Sequence, residues 1–98
     1  MERQVVSVQG RINVDNSGEL RRKLSDALRR RPAKLTVDLS GVTFIDTSGL
    51  ATLVEAARNA RRQGAQLTLC GIHGQARYFL EITSLDQLFE IAGREVNA

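Results

Sequence analysis

The sequence predicts a single α/β domain whose sheet contains parallel strand pairs. Two observations carry that prediction. Apolar positions alternate between a spacing of two and a helical spacing along the chain, and short turn signals separate the segments. A third observation bounds it: 98 residues suffice for one hydrophobic core but leave no room for a second module or a cleft between lobes, which excludes large multi-step enzymes. Residues 1–98 read as one domain without internal repeats, low-complexity tracts or a Pro/Ser-rich linker.

The elements follow in order. Val6 and Val8, then Ile12 and Val14, fall at spacing two around Gly10, predicting a strand, a bend and a second short strand. In Asn16-Ser17-Gly18-Glu19, the asparagine stands where a helix cap is expected, and Glu19 has the spacing of a capping box. Leu20, Leu24, Ala27 and Leu28 form one apolar helical stripe. Pro32 stops that helix, because the residue before a proline is pushed out of the helical region. Leu35, Val37 and Leu39 alternate with Lys34, Thr36 and Asp38, giving a strand that Ser40-Gly41 is expected to break. Val42 to Ile45 leads into a polar turn, and Leu50, Leu53, Val54 and Ala57 mark a second helix. Gly64 sits where a left-handed cap residue belongs. Leu67 to Cys70 reads as a strand, Ala76, Phe79, Leu80 and Thr83 as a third helix, and Leu85 to Ile91 as a short turn and an edge strand. Alternating strands and helices imply right-handed crossovers between parallel neighbours. About three helices are expected to cover one sheet face more than the other.

Composition removes several function classes. No apolar run approaches the roughly 20 residues that span a bilayer, and the first residues lack a stretch of signal-peptide length, so a cytoplasmic protein without membrane insertion is expected. One Cys and one His supply neither a disulfide nor a zinc ligand set, and no metal or cofactor is expected. The net charge of +3 is unevenly spread: residues 21–31 carry +5, whereas Glu81 to Glu95 carry −3. Arginines on a helix read first as a solvated face. No nucleic-acid recognition motif or aromatic platform accompanies them, so nucleic acid is not an expected partner.

The segment that carries chemistry is Phe44-Ile45-Asp46-Thr47-Ser48-Gly49-Leu50. Two bulky apolar residues deliver the chain to a turn, and a helix begins at once, so Asp46, Thr47 and Ser48 lie at a helix N-terminus. The first amides there have no intrahelical partner, and the dipole favours negative charge. A phosphate on Ser48 would be tolerated by the helix and would add bulk and charge to the surrounding surface. A purely structural role, with Asp46 or Thr47 capping the helix, fits the same spacing.

Asp38-Leu39-Ser40-Gly41 through Asp46-Thr47-Ser48-Gly49-Leu50 closely resembles the signature of the STAS domain family, the bacterial anti-sigma factor antagonists. Gly10 to Asp15, Gly64 and Leu85-Asp86-Gln87-Leu88-Phe89 extend the resemblance over nearly the whole chain. It implies a mixed sheet of four or five strands with about three to four helices. It also implies a non-catalytic role. Such antagonists bind an anti-sigma factor that is also a serine kinase and so free the sigma factor; phosphorylation blocks binding, and a PP2C-type phosphatase restores it. By motif position the phosphorylated residue is Ser48. The partner surface that the resemblance implies is Asn13, Asp15, Asp46, Thr47, Ser48, Gly49 and Leu50. Thr47 stands where serine is commoner, and Asn13 where aspartate is usual.

An alternative within the family is a cytoplasmic STAS subunit of a lipid-transporting ABC system, not regulated by phosphorylation; Thr47 and Ala51 lean towards it, and Ser48 leans back. The enzyme readings fail. Asp46-Thr47 is similar to the Asp-Thr-Gly of aspartic proteases, but Ser48 interrupts it before Gly49. His73, the single histidine, falls in a loop, and Cys70 falls in a strand where burial is the default.

Overall fold

Leu35, Val37 and Leu39 are almost inaccessible to solvent, which puts their strand at the centre of the sheet. The structure, a computed structural model, describes residues 2–92; Arg94 and Glu95 of the acidic stretch lie outside them. In chain order it contains β1 (Arg3–Ile12), α1 (Ser17–Arg29), β2 (Lys34–Ile45), α2 (Thr47–Arg62), β3 (Gln66–Cys70), α3 (Gly74–Ile82), a 3-10 turn (Leu85–Leu88) and β4 (Glu90–Ile91). The strands lie in the order β1-β2-β3-β4. Each neighbouring pair is parallel, as helical crossovers require. Four strands and three α-helices match the expected numbers. The pairings among the described residues are all parallel, so these four strands do not themselves supply an antiparallel pair.

The helical stripes land as their spacing demands. Leu20, Leu24 and Leu28 of α1 and Leu50, Leu53 and Ala57 of α2 join the β2 residues and Leu67 and Leu69 in one core. The two helices pack on each other, and on the surface Arg21 Nε donates to Glu55 Oε1 at 2.9 Å. The turn and edge strand expected from Leu85 to Ile91 are the 3-10 turn and β4. Among the described residues no helix is long and apolar enough to cross a membrane.

Three local expectations are corrected. Gly10 does not separate two strands: β1 runs through it with φ +80°, and Val14 stands outside the strand. Ser40-Gly41 likewise does not break β2, which continues to Ile45. The register with β1 shifts between Ser7 and Gln9 and again between Gly10 and Arg11, so the glycines mark bulges that bend the pair without ending it. Gly41 is needed for close approach, since a Cβ there would lie 2.9 Å from Gln9 Cγ. Asp38 Oδ1 accepts from Ser40 N at 3.0 Å and from Ser40 Oγ at 2.7 Å, supporting the irregular backbone. Finally, Asn16 occupies the N-cap position of α1 but makes no side-chain cap. Its amide turns back to accept from Asn13 N and to donate to Arg11 O, at 2.9 and 2.7 Å.

Candidate functional site

The turn between β2 and α2 is held from three sides. On one side, Asp46 N donates to Ile12 O at 3.0 Å, tying the turn to the end of β1. On the other, β3 has already ended opposite Asp38, and a side chain takes over its role. Gln75, in the first turn of α3, accepts from Ile45 N and donates to Ile45 O, both at 2.9 Å. One amide thus substitutes for a strand neighbour. From within, Gly49 lets α2 sit against the sheet: a Cβ there would lie 2.6 Å from Ile12 Cγ2 and 2.7 Å from Ile45 Cγ1.

Asp46 is the N-cap of α2, with extended backbone, and its Oδ1 accepts from Gly49 N at 3.0 Å. The same oxygen accepts from Ser48 Oγ at 2.7 Å. These bonds, the Ser48 hydroxyl first and the Gly49 amide second, hold the Asp46 carboxyl below its ordinary range, because they stabilise the charged form. Asp46 and Ser48 are half-buried, and Thr47 is exposed. Ser48 therefore presents a nucleophile-bearing side chain that is oriented by a carboxylate, partly open to solvent and set in a helix first turn.

The β1–α1 loop lies alongside. Asn13 Oδ1 accepts from Asp15 N at 2.9 Å, which shapes the loop. Asn13 is half-buried and Asp15 exposed. Between them Val14 is 73% exposed, a large apolar side chain in solvent beside the polar turn. The spacing that placed Val14 in a short strand gave no sign of this exposure. Gly49 and Leu50, also expected at the partner surface, are buried and act by positioning the turn. Leu50 still reaches the floor of a groove of about 540 Å³ that runs along α2 from Thr47 past Ala51 and Val54 to Arg58 and Arg62. Sequence reasoning missed Gln75, because a solitary glutamine in a helix first turn carries no pattern.

The other reactive side chains among the described residues are each engaged locally. His73 Nε2 lies 3.0 Å from Ser40 O; a carbonyl only accepts, so that nitrogen carries the proton. Cys70 is partly buried, and burial followed by the Asp38 charge pushes its thiol pKa up, away from nucleophilic reactivity. Ser40 pulls the Asp38 carboxyl down. No group of three or more metal-ligating side chains occurs among the described residues.

A family model described as the STAS domain matches residues 3–98. An anti-sigma F factor antagonist of Paenibacillus polymyxa is 23% identical over 95 residues, which span 96% of this chain and 81% of that protein. A STAS-domain containing protein of Pseudomonas aeruginosa is 30% identical over 90 residues, 89% of this chain and 85% of that protein. Among solved structures, an anti-sigma factor antagonist from Mycobacterium paratuberculosis aligns with a TM-score of 0.82 at 24% identity, over 95% of this chain and 79% of that one. A sulfate transporter family protein from Wolinella succinogenes aligns with a TM-score of 0.75 at 19% identity, over 87% and 69% of the two chains. The two structural likenesses show the fold.

Proposed function

The chain belongs to the STAS domain family, and from that premise we propose that it is an anti-sigma factor antagonist whose partner binding is switched by phosphate on Ser48. The observation that carries this reading is the Ser48 hydroxyl, 2.7 Å from Asp46 Oδ1 and partly open at the start of α2. The names of relatives, anti-sigma F and anti-sigma-B factor antagonists among them, support the same class.

The unphosphorylated face consists of Asn13, Val14, Asp15, Thr47 and Ser48, with the groove along α2 beside it. An anti-sigma factor with serine-kinase activity docks there and is drawn away from its sigma factor. Transfer of the γ-phosphoryl group of ATP forms the Ser48 Oγ–P bond and breaks the bond to ADP, and the hydroxyl proton passes to a base of the kinase. Asp46 then loses a donor and gains a dianion as neighbour, so the phosphate swings outward into the docking face. The cap itself survives, because Gly49 N still donates to Asp46. Binding is thus blocked without unfolding, and a PP2C-type phosphatase resets the switch.

Incubation with a cognate kinase-type anti-sigma factor and radiolabelled ATP tests the assignment. Wild type takes up phosphate and Ser48→Ala does not; equal incorporation in both refutes it. In a pull-down, Ser48→Asp recovers far less partner than wild type. Equal recovery sinks the charge mechanism and favours a permanently bound subunit, as in the ABC-transport alternative.

A further inference from the structure

Parallel topology gathers the N-termini of β1, β2 and β3 and the C-termini of α1 and α2 at the end of the molecule remote from Ser48. α2 alone, at 16 residues, separates the two ends by about 24 Å. The remote end is loaded with cations. Arg29, Arg30 and Arg31 close α1, Arg61 and Arg62 close α2, and Arg3 and Lys34 open β1 and β2 as register partners. Among the described residues, Arg29 alone of these has a carboxylate partner, Asp26 at 3.4 Å, with both side chains mostly exposed.

Favourable placement near a helix C-terminus explains part of this. It does not explain Arg31. That residue lies beyond α1 at φ +54°, a left-handed conformation that glycine or asparagine adopts more readily. Nor does it explain Arg3 and Lys34, which are on strands. Arg29, Arg31 and Arg62 converge with Ser25, Asn59 and Gln63 on a groove of about 400 Å³ between the two helix ends.

We infer that this groove docks an acidic peptide segment of a protein partner, as a second surface that goes beyond the Ser48 switch. The lining chemistry selects that occupant. Arginine forks match carboxylates in a bidentate geometry. Gln63 adds a side-chain amide to the lining, and an amide pairs with peptide N–H and C=O groups alike, whereas a phosphodiester only accepts. The apolar side chain lining the groove, Leu28, is buried, so no wedge reaches towards hydrocarbon, and no aromatic ring lines the groove for base stacking.

The test is fluorescence anisotropy with a labelled (Glu-Ser)5 peptide. Parallel titrations use a 20-base-pair DNA duplex and phosphatidylcholine vesicles containing phosphatidylserine. The variant R29Q/R31Q is expected to weaken peptide binding about tenfold. R22Q/K23Q, which removes the same charge elsewhere, is expected to bind as wild type, and circular dichroism confirms that both variants are folded. Ser48→Asp is also expected to bind as wild type, which separates this result from the fate of the switch. Equal losses in the two charge variants, no peptide binding by wild type, or tighter binding to DNA or vesicles overturns the inference.

Discussion

At the residue scale, Gly49 and Asp46 divide the work of the switch turn between shape and charge. Gly49 is fixed by its neighbours: a methyl group there meets Ile12 Cγ2 at 2.6 Å and Ile45 Cγ1 at 2.7 Å. Both neighbours are β-branched and cannot swing aside at χ1. Gly49→Ala gains up to about 1 kcal/mol in helix propensity against an overpacking cost of about 1–3 kcal/mol. A net loss of stability is expected, read as a lower urea midpoint, and an unchanged or higher midpoint would contradict the packing argument. Asp46 contributes through its charge. Its folded pKa lies below the ordinary 3.8, so its stabilisation is fully present above that value and is lost as pH falls through the folded pKa. Asp46→Asn is therefore less stable than wild type at pH 7. Below about pH 4 the gap between their urea midpoints narrows, and a constant gap from pH 7 to pH 2 would show that the charge is not the cause.

At the element scale, the end of β2 is paired with β1 on one side and strapped by α3 on the other, where β3 has ended. Gln75→Ala removes both hydrogen bonds to Ile45 and leaves main-chain groups of a buried residue without partners, a loss of about 1–3 kcal/mol. Hydrogen exchange at Ile45 N is expected to accelerate more than exchange at Val37 N in the core of β2. Uniform acceleration would make Gln75 a general stabiliser and not a local strap. The Arg21–Glu55 pair between α1 and α2 lies in a different regime. Both side chains are 53% exposed, so Glu55→Ala should cost less than about 1 kcal/mol. These elements also show what could be read in advance. Helical stripes such as Leu20, Leu24 and Leu28 were legible because burial of one face repeats locally in sequence. The Asp46–Ser48 turn was legible because capping chemistry is also local. The continuity of β2 through Ser40-Gly41 was hidden, since a glycine that breaks a strand and one that admits a bulge look alike until the partner, here Gln9, is known. The Asn16 side chain was misread for a related reason: Arg11 O and Asn13 N compete for it, and only the folded loop brings them within reach. Gln75 left no trace because its partner lies 30 residues away in sequence.

At the scale of the whole molecule, the parallel order β1-β2-β3-β4 collects the C-terminal ends of β1, β2 and β3 at one end, the usual location of function in α/β sheets. Asn13, Asp46 and the Gly71–Gly74 segment all sit there, while the α1 and α2 termini carry the cations to the other end. A phosphate on Ser48 adds about −1.5 to −2 charges to a chain whose net charge is +3. The sign of the molecule therefore does not reverse, and whatever the phosphate does must be local. Its immediate neighbours pull in opposite directions. The first-turn amides of α2 favour the anion by about 0.3–1 kcal/mol, whereas the Asp46 carboxylate opposes it over a similar range in solvent. These contributions nearly cancel. Phosphorylated protein is thus expected to melt within about 4 °C of the unmodified form, since about 1 kcal/mol moves a domain of this size by 4–8 °C. In 15N-edited NMR spectra, the amide shifts should cluster at residues 12–17 and 45–52 and at Gln75, with the α1 and α2 C-termini unmoved. A collapse of the spectrum would mean that partner release follows from unfolding. A cluster confined to the two loops and Gln75, with binding lost, would locate the switch in the charge and bulk placed on the docking face.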